Sequence, residues 1–378
     1  MQGQRATFTP SDLESVPAVN ALLHRLGVGR LATEDSQSLF GRNENWAGTT
    51  SAGVGVFVKR VSLDGGPEDA ALRVARSRSF AAMIAAHGSP DLHTPELIGD
   101  DHTSRVLVFR LLDATRTFAE LSADGELDTA LARRAGRAVG VLHGLGEALG
   151  DAAHADGLDR SPFPFPSLGL LRALPLGGFM GLTFAEVTLW RILHGDTELT
   201  EALAALRRAE AAAPLVTAHC DLRFDQFLLS HGTLHLTDGE EFRWSDAARD
   251  IGSLAGEWLF RAVTGLTSSG RDASPATLAV REATHEEIIA RGVAEMDRVR
   301  PLISALWAGY RSARTTADPR LAVRATAFAG WHMIDRAMAT AGRGSRLPAV
   351  TRAAMGVGRT ALLAPQNFVG ALGLEERR

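Results

Sequence analysis

The stretch AHCDLRFDQFLLSHGTLHLTDGE, residues 218–240, decides the fold of this chain. Within it, two short apolar runs at 227–229 and 234–236 flank a turn centred on Gly232. Apolar segments joined by a glycine-containing turn pair as an antiparallel β-hairpin. The stretch therefore predicts a hairpin whose open end carries acidic and amide side chains.

The open end of this hairpin carries side chains that suit a hard metal ion. If the turn centres on Gly232, Gln226 and Asp238 are each six residues from it and face each other across the ladder. Directly opposed residues have Cβ atoms about 5 Å apart, so both side chains could reach one cation. Oxygen ligands without cysteine or histidine favour Mg²⁺ over Zn²⁺. Asp221 lies just before this pair, as a candidate general base.

Lysine occurs once, at Lys59, although the chain has 40 lysine and arginine residues. A lone lysine among arginines indicates a site that needs a compact ammonium group. Phosphoryl transfer needs a metal on the phosphates, a carboxylate on the attacking hydroxyl and a cation on the phosphate chain. Lys59 can supply that cation. It follows Val58 instead of the glycine of a Gly-Lys-Ser/Thr loop, which excludes a P-loop enzyme.

The rest of the chain predicts an α+β fold in two lobes. Short strand-like pieces broken by glycines fill 39–61, a helix follows at 72–86, and 105–112 has the pattern of a buried strand. Helical spacing dominates afterwards. We therefore expect a lobe at 1–112 with a small antiparallel sheet, and a mostly helical lobe at 113–378.

Local signals add detail to this outline. Ser11 and Glu14 have the spacing of a capping box and predict the start of a leading helix. The Pro/Gly-rich stretch 151–183 predicts a loop or a broken helix. Further helices are predicted across 132–145, 184–210, 246–264, 283–311 and 321–340.

Composition limits the class of protein. With 378 residues and 45% apolar content, the chain can bury a large core. A net charge of −4 with interspersed charges argues against a nucleic-acid partner. The single cysteine, Cys220, excludes an intrachain disulfide and a cysteine-built metal site. The first residues lack a signal-peptide pattern, and the longest uncharged apolar-rich run, 173–185, is too short to cross a bilayer, so we expect a cytoplasmic protein without a membrane partner.

The order of these elements resembles the aminoglycoside phosphotransferase and choline kinase superfamily. His219 to Gln226 is similar to that family's His-Gly-Asp-Leu-His-Pro-Gly-Asn pattern. Residues 238–240, with Asp246 and Asp250 downstream, are similar to its Asp-Trp-Glu…Gly-Asp-Pro-x-x-Asp pattern. The resemblance covers about residues 40–260. It implies a protein-kinase-like two-lobed fold and an ATP-dependent phosphotransferase that requires Mg²⁺.

The resemblance also implies a role for each matched residue. Asp221 would be the catalytic base, and Lys59 would bind the α- and β-phosphates of ATP. Gln226 and Asp238 would hold Mg²⁺, with Glu240 of the same motif as a further metal ligand.

Other matched residues would support this machinery. Gly41, Asn43 and Asn45 would belong to the loop that covers the phosphates. His219 and Asp250 would brace the catalytic loop by hydrogen bonds.

Two departures from the family pattern concern the metal and the lysine. Gln226 replaces the usual asparagine, and its extra methylene could displace or remove a second Mg²⁺ site. The helix after Lys59 lacks the glutamate that pairs with the lysine in the family. Glu68, near the start of that helix, is the substitute that we expect.

A further departure follows Asp221 in the catalytic segment. Arg223 lies where a guanidinium could stabilise charge on the transferring phosphoryl group, or it forms an ion pair with Asp225. Cys220 fills the family's glycine position, where we expect a small buried side chain.

Two longer strings resemble a narrower group. GRNENWAGTTSAGVGVFVKR (41–60) and CDLRFDQFLL (220–229), with Glu257 and Trp258 downstream, are similar to the kinase-like subunit of split, class V lanthipeptide synthetases and to thioamitide-pathway phosphotransferases. This resemblance implies phosphorylation of Ser or Thr in a ribosomal precursor peptide, because phosphate turns the side-chain oxygen into a leaving group. A separate lyase and a cyclase are the implied partner subunits.

Two other functions stay open. The first is a small-molecule kinase for an aminoglycoside, macrolide or amino alcohol. An aminoglycoside site calls for an acidic patch in the helical lobe, where 285–287 is one short acidic cluster that is more typical of a solvated helix face. A non-catalytic pseudokinase that binds a peptide or a partner subunit is favoured by the missing helix glutamate and by Gln226. The presence of Lys59, Asp221 and Asp238 argues against it.

Overall fold

The computed structural model describes residues 7–8, 10–39, 41–148, 158–266, 284–314, 316 and 318–375. The fold divides into two compact units, each assembled from several chain segments. Unit 1 comprises Met1–Leu127, Val141–Arg160 and Phe224–Trp244, and unit 2 comprises Asp128–Gly140, Ser161–Arg223 and Ser245–Arg378. The lobe boundary expected after residue 112 stays a prediction.

The described residues form strands and helices of an α+β protein, as predicted. The strands are β1 (Thr7–Phe8), β2 (Ser36–Leu39), β3 (Glu44–Thr49), β4 (Gly55–Arg60), β5 (Leu97–Asp101), β6 (Val106–Arg110), β7 (Thr115–Thr117), β8 (Leu215–Ala218), β9 (Phe227–Ser230), β10 (Thr233–Leu236) and β11 (Arg243–Asp246). The helices are α1 (Pro17–Arg25), α2 (Pro67–His87), α3 (Phe118–Asp124), α4 (Thr129–Ala148), α5 (Leu176–Phe179), α6 (Phe184–His194), α7 (Thr197–Ala211), α8 (Ala247–Gly265), α9 (His285–Ala313), α10 (Leu321–Ala341), α11 (Ala349–Leu363) and α12 (Val369–Leu372). Within the described ranges, no helix combines the length and apolar character that a bilayer crossing requires.

Unit 1 contains a six-stranded antiparallel sheet in the order β1-β2-β3-β4-β6-β5, which confirms the predicted small sheet. Val56 and Val58 of β4 are fully buried and belong to one core with Trp46 of β3 and the apolar side of α1. Successive side chains on a strand point to opposite faces. Lys59 therefore projects from the face opposite to this core.

The leading helix, α1, begins later than the sequence predicted. Pro17 occupies its first turn, where the missing N–H is not needed for the helix. The Ser11 hydroxyl instead donates to a Glu44 carboxylate oxygen at 3.0 Å, and Trp46 Nε1 donates to the Ser11 carbonyl at 2.8 Å. The predicted capping box of Ser11 and Glu14 is therefore wrong, because the segment before α1 bonds to β3.

The hairpin in the fold-deciding stretch is confirmed. β9 and β10 pair antiparallel with Ser230 opposite Thr233, so the turn consists of two residues. These are His231 and Gly232, with φ of 45° and 81°. Positive φ at both central residues is the condition for the tight turn whose twist matches a two-stranded ribbon.

The register of the hairpin differs from the prediction by one residue. Gln226 lies opposite Thr237, whose N–H and hydroxyl donate to the Gln226 carbonyl at 3.0 and 3.1 Å. The predicted opposition of Gln226 and Asp238 assumed a turn centred on Gly232. The turn is centred between His231 and Gly232, so Asp238 lies one position beyond the Gln226 partner.

Unit 2 is mostly helical and also contains β8, which pairs with β11 in a two-stranded sheet. The central helices of unit 2 approach closely at glycines. A Cβ built on Gly252 of α8 would lie 2.5 Å from the Ala325 carbonyl oxygen of α10. A Cβ on Gly358 of α11 would lie 2.5 Å from the Gly330 carbonyl oxygen of α10. The absence of side chains at these contacts lets the three helices pack backbone against backbone, and α8 and α10 confirm the helices predicted at 246–264 and 321–340.

Two other predicted stretches are resolved in more detail. The single helical stretch predicted at 184–210 is two helices, because α6 ends at Gly195 and the Asp196 side chain caps α7 by accepting from the Leu199 N–H at 3.0 Å. Within the predicted loop or broken helix, residues 158–183 contain only the one-turn helix α5. Residues 151–157 lie outside the described residues.

Candidate active site

Lys59 is held in the middle of the sheet of unit 1. On β4 it pairs with Asn45 of β3 and Leu107 of β6, and its side chain is 12% exposed. The ammonium Nζ lies 2.5 Å from Asp238 Oδ1 and 2.5 Å from Glu240 Oε1. Burial disfavours the ammonium, but the charges and hydrogen bonds of the two carboxylates outweigh it and raise the pKa of Lys59 above its ordinary 10.5. Lys59 is therefore a fixed cation.

The turn after β10 carries both carboxylates to Lys59. Asp238 has a left-handed backbone, with φ 69° and ψ 54°, and a short 3₁₀ turn follows it. A Cβ on Gly239 would lie 2.4 Å from the Phe80 ring of α2, so a side chain does not fit there. The glycine therefore allows a tight path in which Asp238 and Glu240 contact the same ammonium.

Glu240 is surrounded by hydrogen-bond donors. Its Oε1 lies 2.5 Å from Lys59 Nζ and accepts from Asn43 Nδ2 at 2.5 Å. Its Oε2 accepts from Arg42 Nη2 at 3.1 Å and Arg73 Nη1 at 3.3 Å. Each carboxylate oxygen thus carries two donors, and three of the four donors are cationic. This environment is that of an ion-pair partner, and the role of Glu240 as a metal ligand stays a prediction.

Arginines occupy the buried side of α2, a feature that the sequence analysis missed. Arg73 is fully buried, and its Nε lies 3.0 Å from Asp69. One turn later, Arg76 donates to Asp159 and, at 3.3 Å, to Glu241. The spacing of these arginines with the apolar residues of α2 was the available signal, since it places them on the face that packs inward.

Glu68 does not take the role predicted for it. It is exposed in the first turn of α2, whereas the ion pairs of Lys59 are with Asp238 and Glu240. The helix instead presents Arg73 to Glu240. The charge expected on the helix is therefore reversed, and the anionic partner of the lysine comes from the turn after the hairpin.

The predicted phosphate loop lies beside this ion pair. Asn43 binds Glu240, as described above. Asn45 braces the loop, since its Oδ1 accepts from the Leu39 N–H at 2.6 Å and its Nδ2 donates to the Leu39 carbonyl at 2.9 Å. Gly41 is exposed with open space around its Cα. The loop is thus internally braced through Asn45 and attached to the lysine partner through Asn43.

Asp238 and Gln226 have the chemistry of Mg²⁺ ligands. The Asp238 side chain is 32% exposed, and Gln226 is buried in the 3₁₀ turn that leads into β9. In the part of the chain that the structure describes, no group of three or more His, Cys, Asp or Glu residues is arranged to hold a metal. Mg²⁺ usually keeps several waters and binds proteins through one or two carboxylates plus phosphates. A carboxylate and an amide oxygen therefore fit this ion, with few protein ligands.

The segment of unit 2 that the sequence predicts to be catalytic is braced by Asp250 of α8. Its fully buried carboxylate accepts from the His219 N–H at 2.7 Å and the Cys220 N–H at 2.8 Å. Cys220 has a φ of 68°, a left-handed conformation that favours glycine. This backbone explains why the related pattern has glycine at that position.

Asp221 follows directly and is partly exposed. Its side chain is 39% exposed, and Arg223 Nη1 lies 3.1 and 3.3 Å from its two carboxylate oxygens. A carboxylate oriented in this way can accept a proton from a bound hydroxyl. Arg223 thus contacts the predicted base itself. The two alternatives expected from the sequence, stabilisation of a phosphoryl group and an ion pair with Asp225, stay predictions.

The start of α8 is also tied to α10. Asp246 Oδ1 accepts from the Ala248 N–H at 3.0 Å and caps the helix. Arg324 donates to both Asp246 oxygens at 2.6 and 2.9 Å, and to Asp318 at 2.6 Å. The first turn of α8, which holds the segment at 219–220, is therefore fixed by a buried ion-pair network.

Comparisons with solved structures identify the fold class. No family model and no curated protein matches the sequence. Amicoumacin kinase hAmiN, in complex with AMP-PNP, Ca²⁺ and Ami, aligns over 93% of this chain and 96% of its own, at 12% identity and a TM-score of 0.57. A choline kinase from Cryptosporidium parvum Iowa II aligns over 95% and 98%, at 13% identity and 0.52. A choline/ethanolamine kinase family protein from Mesorhizobium loti aligns over 96% and 99%, at 16% identity and 0.50.

These likenesses extend over nearly the whole of each chain. Together with the small antiparallel sheet and the helical unit, they show that the chain has the kinase-like α+β fold. The fold prediction is confirmed. The functional roles predicted from the sequence for the site residues stay predictions, except where the contacts described above contradict them.

Proposed function

We propose that this chain is an ATP-dependent phosphotransferase that acts on a hydroxyl group. The observation that carries the proposal is the buried ion pair between Lys59, the only lysine of the chain, and Asp238 in the turn after the β9–β10 hairpin. A fixed ammonium and a partly exposed carboxylate at this spacing suit the phosphate chain of a nucleotide and its metal ion.

The proposed chemistry assigns a part to each group. Lys59 binds the phosphate chain of ATP, and Asp238 with Gln226 holds Mg²⁺, which neutralises charge on the phosphates when it is bound. Asp221 orients the acceptor hydroxyl and takes its proton as the oxygen bonds to the γ-phosphorus and the bond to ADP breaks. Arg223 holds the Asp221 carboxylate at 3.1 Å and limits its rotation.

The first candidate acceptor is a small molecule with a hydroxyl group. The kinases aligned above are named for amicoumacin, choline or ethanolamine, and such an acceptor would agree with their chemistry. This candidate corresponds to the small-molecule alternative of the sequence analysis.

The second candidate acceptor is a Ser or Thr of a precursor peptide. Unit 2 exposes large apolar side chains around α5 and α6, among them Leu176 at 76%, Met180 at 77% and Phe184 at 74%. Contiguous exposed apolar residues mark binding surfaces on soluble proteins and favour an extended ligand such as a peptide. A lyase and a cyclase would then act on the phosphorylated peptide as separate subunits.

Intact-mass analysis tests the proposal and separates the two acceptors. The chain is incubated with ATP, Mg²⁺ and either a Ser/Thr-containing peptide encoded beside its gene or a panel of choline, ethanolamine, aminoglycosides and macrolides. We expect a phosphate adduct on one class that disappears with Asp221→Asn, because the amide cannot accept the proton. Asp225→Asn, an equal charge change at an exposed position nearby, is the control and should retain transfer.

Nucleotide binding distinguishes an inactive chain from a wrong acceptor. Asp221→Asn should bind ATP about as well as the original chain, since it removes little nucleotide contact. ATP binding without transfer to any acceptor would support the pseudokinase alternative. Equal loss of binding and transfer in Asp221→Asn would show that Asp221 is structural.

A further inference from the structure

Glu240 is the centre of a buried charge cluster in unit 1. Its side chain is 5% exposed and contacts Lys59, Arg42 and Arg73, with Asn43 as a fourth donor. Three cations would face one another here if Glu240 were neutral. Lys59 also pairs with Asp238 and Arg73 with Asp69, but Glu240 is the carboxylate that all three cations share.

The two acids that contact Lys59 differ in their surroundings. Glu240 has both oxygens engaged by two donors each, whereas Asp238 is 32% exposed and can turn toward solvent or a bound ion. When a metal ion and phosphates attract Asp238, Lys59 still needs an anion that keeps its ammonium in place. Glu240 can supply it, because its four donors resist displacement.

Arg73 explains why the acid stands in this turn. In kinase-like proteins whose helix carries a glutamate, that glutamate would contact the lysine directly. Here α2 presents a fully buried arginine, which contacts Glu240 Oε2 at 3.3 Å and the Ser62 carbonyl. The arginine therefore clamps the acid from the side opposite to the lysine.

We propose that Glu240, clamped by Arg73, Arg42 and Asn43, is the positioning residue for Lys59 and is not a metal ligand. Through Asn43 and Arg42 it also couples the loop at 41–45 to the lysine. Correct placement of the ammonium then depends on the turn after the hairpin and not on an acid of α2. This inference rests on the proposed nucleotide-binding role of Lys59.

The test uses the fact that the chain has one lysine. Lysine labelled with ¹⁵N and ¹³C gives a single side-chain signal from Lys59, which reports its surroundings without any need for activity. We expect Glu240→Gln to shift this signal at constant pH. Glu68→Gln should leave it in place, because Glu68 is exposed and the ion pairs of Lys59 are with Asp238 and Glu240.

Glu241→Gln is the matched control in the same turn. Glu241 pairs with Arg243 at 2.6 Å, Arg76 at 3.3 Å and Arg42 at 3.9 Å. The acids paired with Lys59 are Asp238 and Glu240, so Glu241→Gln should leave the Lys59 signal in place. With an acceptor in hand, Glu240→Gln should raise the KM for ATP and lower kcat/KM on the order of 100-fold, the scale of a misplaced catalytic group. Glu240→Asp should recover part of the loss, which a merely structural defect would not show.

Arg42→Gln carries the test if Glu240→Gln does not fold. The Arg42 side chain is 50% exposed, so its removal leaves the core intact but takes one donor from Glu240. A shift of the Lys59 signal is expected here and not in Arg25→Gln, which removes an equally exposed arginine paired with Asp101. An unmoved signal in the Glu240 and Arg42 variants would overturn the inference, as would a shift in Glu68→Gln. Absence of phosphoryl transfer by the original chain would refute the proposed function alone.

Discussion

Replacement of Lys59 by methionine separates the contribution of the ion pair to folding from its contribution to catalysis. Methionine has nearly the same length but no charge. Removing one partner of a buried ion pair typically costs about 3–5 kcal/mol, because a charge is left buried and uncompensated. Here Glu240 keeps Asn43, Arg42 and Arg73 as donors, and the partly exposed Asp238 can be hydrated. We therefore expect a smaller loss of unfolding free energy, about 2 kcal/mol.

Catalysis should respond much more strongly than folding. Without the ammonium on the phosphate chain, kcat/KM should fall at least about 100-fold, equivalent to about 3 kcal/mol of transition-state stabilisation. Urea denaturation measures the loss of unfolding free energy, and phosphate transfer to the identified acceptor measures the loss of kcat/KM. Arg60→Met is the control, because Arg60 is the next residue of β4 and pairs with Glu44 at 2.8 Å in a partly exposed site. It should cost less than about 1 kcal/mol and leave transfer unchanged. A loss of 4 kcal/mol or more for Lys59→Met, or unchanged transfer, would refute the reasoning.

Three further predictions concern other parts of the fold. Burial opposes ionisation of Glu257, but the hydrogen bond from His332 at 3.0 Å and the charge of His332 outweigh it and lower the pKa of Glu257 from 4.5 to about 2. The ionised Glu257 therefore stabilises the fold fully above pH 4.5, and this stabilisation is lost as the pH falls toward 2. The stability difference between the original chain and Glu257→Gln should shrink by about 3 kcal/mol between pH 6 and pH 2 in denaturation curves; a constant difference would contradict the assignment. Cys220→Gly should change stability by less than about 1 kcal/mol, whereas Cys220→Val should cost about 2 kcal/mol, since a β-branched residue tolerates a φ of 68° poorly; equal melting curves would argue against this strain. Gly239→Ala should cost about 2 kcal/mol and weaken ATP binding measured by calorimetry, because its Cβ would meet the Phe80 ring; normal binding would mean that the turn can shift without cost.

The fold and the position of Lys59 on a strand were predictable because their signals are local. The hairpin follows from two apolar runs around a glycine, and the helices of unit 2 follow from their spacing. Lys59 stood out by composition alone. The hairpin register was missed because it depends on the positive φ of His231, which a sequence pattern does not specify. A three-residue turn and a two-residue turn differ by one position, enough to place Thr237 instead of Asp238 opposite Gln226.

The ion-pair partners were less predictable, since they join distant segments. Glu68 and Glu240 are both acids that could reach a lysine, and only the path of the turn at Gly239 decides between them. The family resemblance implied that Glu240 binds a metal ion. The motif carries no information on how many donors surround the Glu240 carboxylate, so its ion pairs could not be predicted. Arg73 was overlooked because a charged residue is ordinarily expected on the exposed side of a helix.

The single carboxylate of Asp250 joins the backbone at 219–220 to the first turn of α8, and the neighbouring Asp246 joins that turn to Arg324. Local fraying of this one helical turn would therefore release the Asp221 segment before the rest of the helical unit melts. Mild warming or a low denaturant concentration should then abolish phosphate transfer while most of the helical circular-dichroism signal persists. Substitutions on α10, at Arg324, can thus change the temperature at which the proposed phosphate transfer is lost.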